Sequence, residues 1–121
     1  MGNAAQHHAI NYVEISTTDI AGAKKFYAAV FGWSFQDYGP EYTSFEKASA
    51  GIDGGFRRRE GEEQPGHGAP LIVLYSRDLE ATEGAVVAAG GAIVVPTFEF
   101  PGGRRFHFSD GAGNVLAVSS E

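Results

Sequence analysis

Hydrophobic residues form short strand-like runs in some segments and recur at three- to four-residue intervals, as in a helix, in others. The same order of these segments occurs twice along the chain. Runs rich in β-branched and aromatic residues at Ile10–Thr17 and Leu71–Ser76 predict strands. Each run is followed by an aspartate, Asp19 or Asp78, which can cap a helix by accepting backbone N–H groups. The two runs align when Asp19 is placed on Asp78, and this repeat indicates a duplicated structural unit.

A helical spacing of apolar residues follows each aspartate. Positions three and four residues apart form one stripe, which is typical of a helix with a single buried face. The stripe of the first copy consists of Ile20, Ala23, Phe26, Tyr27, Val30 and Phe31, and that of the second consists of Leu79, Thr82, Ala85, Val86 and Ala89. Gly32 and the pair Gly90-Gly91 are expected to end the helices in a left-handed conformation.

Three further strand-like runs follow each predicted helix, separated by turns rich in glycine and proline. They are Trp33–Tyr38, Tyr42–Ala48 and Ile52–Arg58 in the first copy, and Ala92–Phe98, Arg104–Ser109 and Val115–Ser119 in the second. The predicted fold class is α+β, with two βαβββ modules forming a curved eight-stranded mixed sheet around a concave cleft. We expect one domain over 1–121, with module one at about 8–59, a linker at 60–69 and module two at about 70–120.

Composition narrows the chemistry of this domain. The 121 residues include no cysteine, which excludes thiol nucleophiles, disulfides and Cys-ligated metals. The net charge of −6 argues against nucleic acid and favours encounter with cationic ligands. No apolar run has the length of a membrane span and the N-terminus lacks the pattern of a signal peptide, so we expect no membrane partner and a cytoplasmic location.

Several motifs resemble one known family over nearly the whole chain. They are Asn11-Tyr12-Val13-Glu14-Ile15, Asp19, Phe26-Tyr27, Val30-Phe31-Gly32-Trp33 and the turn Asp110-Gly111-Ala112-Gly113-Asn114. This pattern resembles the vicinal oxygen chelate superfamily, which includes glyoxalase I, extradiol dioxygenases, fosfomycin-resistance proteins and bleomycin-binding proteins. The resemblance implies paired βαβββ modules and a homodimer, and it leaves open whether modules pair within one chain or between two.

In the metal-using members of that superfamily, His, Glu or Gln side chains from the first and last strands of each module hold a divalent ion. Carrying those positions over by the motifs places them on Tyr12, Gly55, Leu71 and Ala117, none of which is a usable ligand. We therefore expect no cofactor. The alternative is a divalent metal held by unorthodox ligands, for which the imidazoles are His7, His8, His67 and His107.

Strand alternation gives the candidate residues of the cleft. If Tyr12 faces the cleft, Glu14 and Ser16 do as well, while Val13 and Ile15 pack against a helix. The candidate ligand-binding residues are Tyr12, Glu14, Asp53, Arg57, Tyr75, Phe98, Phe100 and His107. Glu14 is also the candidate catalytic residue, as a general base. The aromatic residues Phe98, Phe100, Phe106 and Phe108 can either stack a planar ligand or form core and dimer packing.

Three functions are compatible with these residues. The first is a small-molecule-binding protein that holds an aromatic or amphipathic compound in the cleft and catalyses nothing. The second is a glyoxalase-like lyase or isomerase, or a dioxygenase-related enzyme, with non-standard metal ligands or with Glu14 as the base. The third is a non-catalytic accessory or sensory dimer domain. The first is our interpretation, because the residues at the chelating positions favour it.

Overall fold

The computed structural model describes residues 7–60 and 70–121. In chain order its elements are β1 (Val13–Thr17), α1 (Ile20–Phe31), β2 (Phe35–Asp37), β3 (Tyr42–Phe45), α2 (Lys47–Ala50), β4 (Gly54–Arg58), β5 (Val73–Tyr75), α3 (Leu79–Ala88), β6 (Ala92–Phe100), β7 (Gly103–Ser109) and β8 (Val115–Ser120). None of these helices has the length and apolar content that a membrane span requires. His67 and all of the predicted linker except Glu60 lie outside the described residues.

The predicted fold class, α+β with two βαβββ modules, is confirmed by the topology. The eight strands form two four-stranded mixed sheets with the same internal order, β1-β4-β3-β2 and β5-β8-β7-β6. In each sheet the first and last strands of the module are parallel, with Glu14 opposite Gly55 in one and Val73 opposite Ala117 in the other. The remaining neighbours are antiparallel. The duplication inferred from the sequence is therefore present in the strand register.

Both long helices begin at the predicted aspartates. A carboxylate oxygen of Asp19 accepts the Gly22 N–H at 3.0 Å, and that of Asp78 accepts the Ala81 N–H at 3.1 Å. These bonds satisfy backbone donors of the first turn, which have no partner within the helix. Gly32 ends α1 in the left-handed region at φ 73°, as its position after the apolar stripe predicts.

One aromatic core connects the two modules. Phe26 and Tyr27 on α1 are almost completely buried, and Trp33 is also part of the core. The ring of Phe26 stacks on that of Phe108 from β7, with centroids 5.8 Å apart, and Phe31 lies 5.9 Å from the same ring. Because α1 packs on residues of both modules, neither module has a separate core.

Hydrogen bonds fix the end of β1 against the turn that precedes β8. Thr17, which is fully buried, donates from its hydroxyl to the Ala112 carbonyl at 2.8 Å. Asn114 donates from its side-chain amide to the Ser16 carbonyl at 2.8 Å. The family-like turn at 110–114 therefore joins the two modules and pairs polar groups that the junction encloses.

Several strand boundaries differ from the predictions. The first strand of each module begins later than its apolar run, with β1 starting at Val13 and β5 at Val73. The predicted strand at Tyr42–Ala48 ends at Phe45, because the short helix α2 follows it. Asp53 accepts the Lys47 N–H at 2.7 Å and stabilises this turn of helix from six residues further along the chain, a contact that strand alternation does not reveal.

The predicted aromatic cluster of module two is divided between two faces of its sheet. Phe106 and Phe108 are fully buried in the core on the helix side. Phe98 lies opposite Arg105 in the register and belongs to the other face, where its ring lies 6.3 Å from that of Phe100. The four rings therefore do not form one cluster, because alternate residues of a strand point to opposite faces, and the core packing considered for them applies to Phe106 and Phe108. Phe98 and Phe100 remain candidates for ligand contact.

Candidate ligand-binding site

Each sheet has one face packed against the helices and one face without them, which we call the open face. In module one, Ile15 and Phe56 are buried with the core, whereas Glu14 is exposed on the other side of β1. The row Glu14, Gly55 and Ser44 crosses the open face of module one. The equivalent row of module two is Val73, Ala117 and His107. The two rows place the predicted site positions on the open faces.

Two tyrosines dominate the open face of module one. The hydroxyl groups of Tyr12 and Tyr42 are hydrogen-bonded to each other. The Tyr42 ring lies over Gly55, where an added Cβ would be 2.5 Å from the Tyr42 hydroxyl oxygen. Burial raises the pKa of the Tyr42 phenol, and the hydrogen bond to Tyr12 and the nearby Glu14 carboxylate raise it further. The Tyr42 hydroxyl therefore stays protonated at neutral pH.

Tyr42 is a site residue that the sequence analysis missed. It lies opposite Arg57 in the register and two residues from Ser44, so alternation along β3 places it on the open face. This alternation is visible in the sequence, but the candidate residues follow from the superfamily's chelating positions, and β3 carries none of them. The side chain of Glu14 is exposed, so the single chain lacks the sheltered setting expected for a general base.

A cavity of about 520 Å³ lies where β1 of module one meets the beginnings of β5 and β8 of module two. Its lining is mainly apolar, with one carboxylate and one amide. The lining residues are Ile10, Tyr12, Val13, Glu14, Ile15, Pro70, Leu71, Ile72, Asn114, Val115 and Leu116. Tyr12 and Glu14 were predicted for this site, whereas Ile10 and Val115 were not among the candidates. The cavity brings together Tyr12, Glu14, Leu71 and Val115 from the open faces of both modules, and it reaches Ile15 and Leu116 of the core. We call it the open-face cavity.

The other candidates of module one lie beside this cavity rather than in it. Asp53 holds the Lys47 N–H and lines a second cavity of about 450 Å³ together with Tyr12 and Tyr38. Arg57 lies between Ser16 and Tyr42 in the strand register. Asp53 therefore has a structural role in addition to any contact with a ligand.

The candidates of module two occupy one face of its sheet. Tyr75 is 59% exposed, and its hydroxyl donates to the Glu121 carboxylate at 3.3 Å. The ring of Phe98 lies 6.0 Å from that of His107. Burial lowers the pKa of His107, and the positive charge of Arg105 lowers it further. The sequence did not indicate which way His107 faces, and the register places it on the open face opposite Ala117.

The residues at the chelating positions do not fit a divalent ion. Gly55 and Ala117 have no donor atoms, Leu71 is apolar, and the Tyr12 hydroxyl is engaged with Tyr42. The Tyr42 ring also fills the space that a longer side chain at position 55 would need. Within residues 7–60 and 70–121, no three His, Asp or Glu side chains converge on a point where they could hold a metal. His7 and His8 stack on each other at 3.8 Å and are exposed.

Comparison with known proteins extends these observations. The family model of the Glyoxalase/Bleomycin resistance protein/Dioxygenase superfamily matches residues 9–118. CFP32 proteins of Mycobacterium bovis and Mycobacterium tuberculosis, provisionally named as glyoxylases, are 30% identical over 114 residues. The match covers 89% of this chain and 44% of each relative, so the chain spans less than half of their length.

Solved structures share the fold at low sequence identity. A glyoxalase-related enzyme from Fulvimarina pelagi superposes with a TM-score of 0.75 at 18% identity, covering 94% of this chain and 88% of that one. A variant of the fosfomycin resistance protein FosX from Listeria monocytogenes, complexed with Mn(II) and a dihydroxypropylphosphonic acid, gives 0.77 at 13% identity, with coverages of 95% and 91%. The two-module topology, the capped helices, the turn at 110–114 and the family match together show that this chain belongs to the Glyoxalase/Bleomycin resistance protein/Dioxygenase superfamily, also called the vicinal oxygen chelate superfamily.

Proposed function

We propose that this protein binds an aromatic or amphipathic small molecule in the open-face cavity, without a metal cofactor and without turning the molecule over. The observation that supports this most directly is the lining of the cavity. Two of the four chelating positions, Tyr12 and Leu71, lie in it and present a ring and an aliphatic side chain. A site with these groups favours contact with apolar surface over coordination of substrate oxygens.

The dimensions and chemistry of the cavity suit such a ligand. Its volume of about 520 Å³ is within the range of small-molecule sites, about 300–1,000 Å³. Leu71 is 40% exposed and Val115 is 49% exposed, so a ligand that covers them removes apolar surface from water. Glu14 and Asn114 supply the few polar groups that can orient a bound molecule.

An alternative is an enzyme that uses Glu14 as a base, and one observation favours it. The Glu14 carboxylate lies beside the Tyr42 phenol, so two groups that can transfer protons are adjacent on the open face. The glyoxylase name of the mycobacterial relatives agrees with this alternative, although the chain covers only 44% of their length. Turnover that is lost in Glu14→Gln while binding persists would support the enzyme over the binding protein.

We also propose that the protein forms a homodimer. Large apolar side chains are exposed on the open faces and nearby, and such surfaces are typical of interaction sites. Those that lie outside the open-face cavity include Val73 and Tyr75 on module two. Sedimentation of the full chain should give twice the mass of 12.8 kDa, whereas a monomer at all concentrations would contradict this proposal.

Ligand binding can be tested with two matched valine variants. Val115 on β8 lines the cavity and is 49% exposed, whereas Val94 on β6 is 50% exposed and is not among the cavity residues. A thermal-shift screen with aromatic antibiotics, quinones and thiol conjugates should give compounds that raise the melting temperature, because they bind only the folded state. Val115→Ser should weaken those shifts and Val94→Ser should retain them. Shifts that are equal in both variants, or absent in the wild type, would contradict the proposed site.

A further inference from the structure

We infer that the open face of module two carries a binding site for the acidic head group of an organic anion, formed by Arg105 and His107 beside the rings of Phe98 and Phe100. This inference rests on the proposed function and gives the class of its ligand, an aromatic molecule with a carboxylate or phosphate group. The four residues lie on β6 and β7, at the edge of the sheet farthest from β5.

Arg105 is held by aromatic rings instead of by an acid. Its guanidinium carbon lies 5.4 Å from the centroid of the Phe98 ring and 5.3 Å from that of Phe100. These are cation–π distances, and they fix the plane of the guanidinium. Within the described part of the chain the Arg105 side chain forms no ion pair, and its Nε forms no hydrogen bond. Its Nη groups are therefore free to bind a planar acid through two parallel bonds.

Two other arginines of the chain are paired with acids, in contrast to Arg105. Arg104 is the preceding residue and is paired with Glu80 at 2.7 Å. Arg58 contacts Glu41 at 3.5 Å and Glu60 at 2.9 Å. The 15 acidic residues outnumber the 9 basic ones, yet none of the described acids is paired with Arg105. A charged group left in this state is a candidate for an external partner.

Buried polar atoms without partners are concentrated in the same region. Nε of Arg105, Nε2 of His107 and Oγ1 of Thr97 are buried and form no hydrogen bond. Thr97 lies in the β6 bulge between Val95 and Phe98. Val95 is opposite His107, and Phe98 is opposite Arg105. Most buried polar atoms in proteins have a partner, so three without one on two adjacent strands call for an explanation. A bound acid would supply hydrogen-bond acceptors here.

The anion site lies on the same open face as Val115, a residue of the cavity. His107 pairs with Ala117 on β8, and Val115 lies two residues from Ala117. Diagonal neighbours such as His107 and Val115 are about 7–8 Å apart, and Arg105 lies two residues farther along β7, so an elongated molecule is needed to place its aromatic part in the cavity and its acid at Arg105. The net charge of −6 slows the approach of an anion, but the contact with the guanidinium determines how long the complex persists.

The experiment compares three probes with the same ring system: naphthoate, naphthyl phosphate and the neutral naphthalenemethanol. Isothermal titration is run on the full chain, on Arg105→Gln and on Arg104→Gln, which removes the same charge from the other face of the sheet. The wild type should bind one or both acids about tenfold or more tightly than the alcohol, as expected for a charge-assisted contact. Arg105→Gln should abolish this preference, and Arg104→Gln should keep it. The two acids distinguish a carboxylate site from a phosphate site.

Other results have distinct meanings. Equal binding of the acids and the alcohol would overturn the anion site and leave the proposed binding function standing. No binding of any probe to the wild type would count against both. A dimer that dissociates in Arg105→Gln would assign this arginine to the subunit interface and overturn the inference.

A second measurement uses only the wild-type protein, so its result does not depend on whether the variants fold. The His107 imidazole is followed by NMR during a pH titration, with and without naphthoate. A bound acid should raise the pKa of His107, because a negative charge close by favours the imidazolium. An unchanged titration at saturating naphthoate would overturn the site.

Discussion

The hydroxyl of Tyr27 on α1 donates a hydrogen bond of 2.9 Å to the carboxylate of Asp110, in the turn that precedes β8. Tyr27 is fully buried and Asp110 is 5% exposed. The other carboxylate oxygen of Asp110 accepts the Ala112 N–H at 2.7 Å, within the turn that holds the end of β1. One phenol thus connects the helix of module one to the turn through which the two modules meet.

We expect Tyr27→Phe to lower the free energy of unfolding by about 1–3 kcal/mol, because it leaves a buried carboxylate oxygen without its donor. Chemical denaturation of the two proteins measures this difference. Tyr38→Phe is the matched control, because Tyr38 is 59% exposed. This substitution should change the free energy of unfolding by no more than about 0.5 kcal/mol. Equal losses in the two variants would show that the bond to Asp110 contributes nothing specific.

Stability should depend on pH through His107. Its pKa is lowered in the folded state by burial and by Arg105, while Val95 and Ala117, opposite it on β6 and β8, are uncharged. The unfolded chain therefore binds this proton more readily. Stability from the neutral imidazole is fully present above the unfolded pKa of about 6.5 and is lost as pH falls below it.

Denaturation at a series of pH values can isolate this contribution. The free energy of unfolding should fall less steeply below pH ~6.5 in His107→Gln than in the wild type. His8→Gln, at an exposed position, should reproduce the wild-type profile. Identical profiles for the wild type and His107→Gln would mean that His107 titrates alike in the folded and unfolded states.

Two glycine-to-alanine variants should have opposite effects on stability. At Gly55 a Cβ would be 2.5–2.7 Å from atoms of the Tyr42 side chain. The ring would have to move, and its hydrogen bond to Tyr12 would be lost. A loss of about 1–3 kcal/mol is expected from such overpacking. Gly84 lies in α3 with open space around it, so its replacement should add about 0.5–1 kcal/mol through helix propensity. Thermal unfolding measures both.

A double-mutant cycle tests the cause of the Gly55 effect. Tyr42→Ala removes the ring with which the new methyl group collides. If that contact is responsible, Gly55→Ala should be far less harmful in the Tyr42→Ala background. An undiminished loss would place the strain in the backbone.

Metal content should be well below one equivalent after purification without a tag and dialysis. The residues at the chelating positions offer a glycine, an alanine, a leucine and an engaged phenol, none of which is a ligand that divalent ions prefer in proteins. Elemental analysis for Ni, Zn, Fe and Mn measures this. Stoichiometric metal that survives dialysis would contradict a metal-free site and favour the enzymatic alternative.

Local signals in the sequence predicted the structural features that depend only on neighbouring residues. Asp19 and Asp78 cap the helices, and Gly32 ends α1, because these roles need only the adjoining backbone. The repeat of strand and helix signals predicted the two modules. Alternation along β1 also placed Glu14 and Ile15 correctly on opposite faces.

Contacts set by the fold could not be predicted in this way. The Lys47 N–H donates to Asp53 at the start of α2, and the β6 bulges determine that Phe98 lies opposite Arg105. The hydrogen bond between Tyr12 and Tyr42 depends on the order of strands in the sheet. Each of these relationships follows from tertiary packing, which local propensity does not encode.

The equivalent rows on the two open faces give the pseudo-symmetric scaffold a direction. Where one half carries Glu14 and Ser44, the other carries Val73 and His107. A duplicated site with identical halves would bind a ligand in either of two orientations with equal affinity. Here the two halves are chemically distinct, so an asymmetric ligand has one preferred orientation.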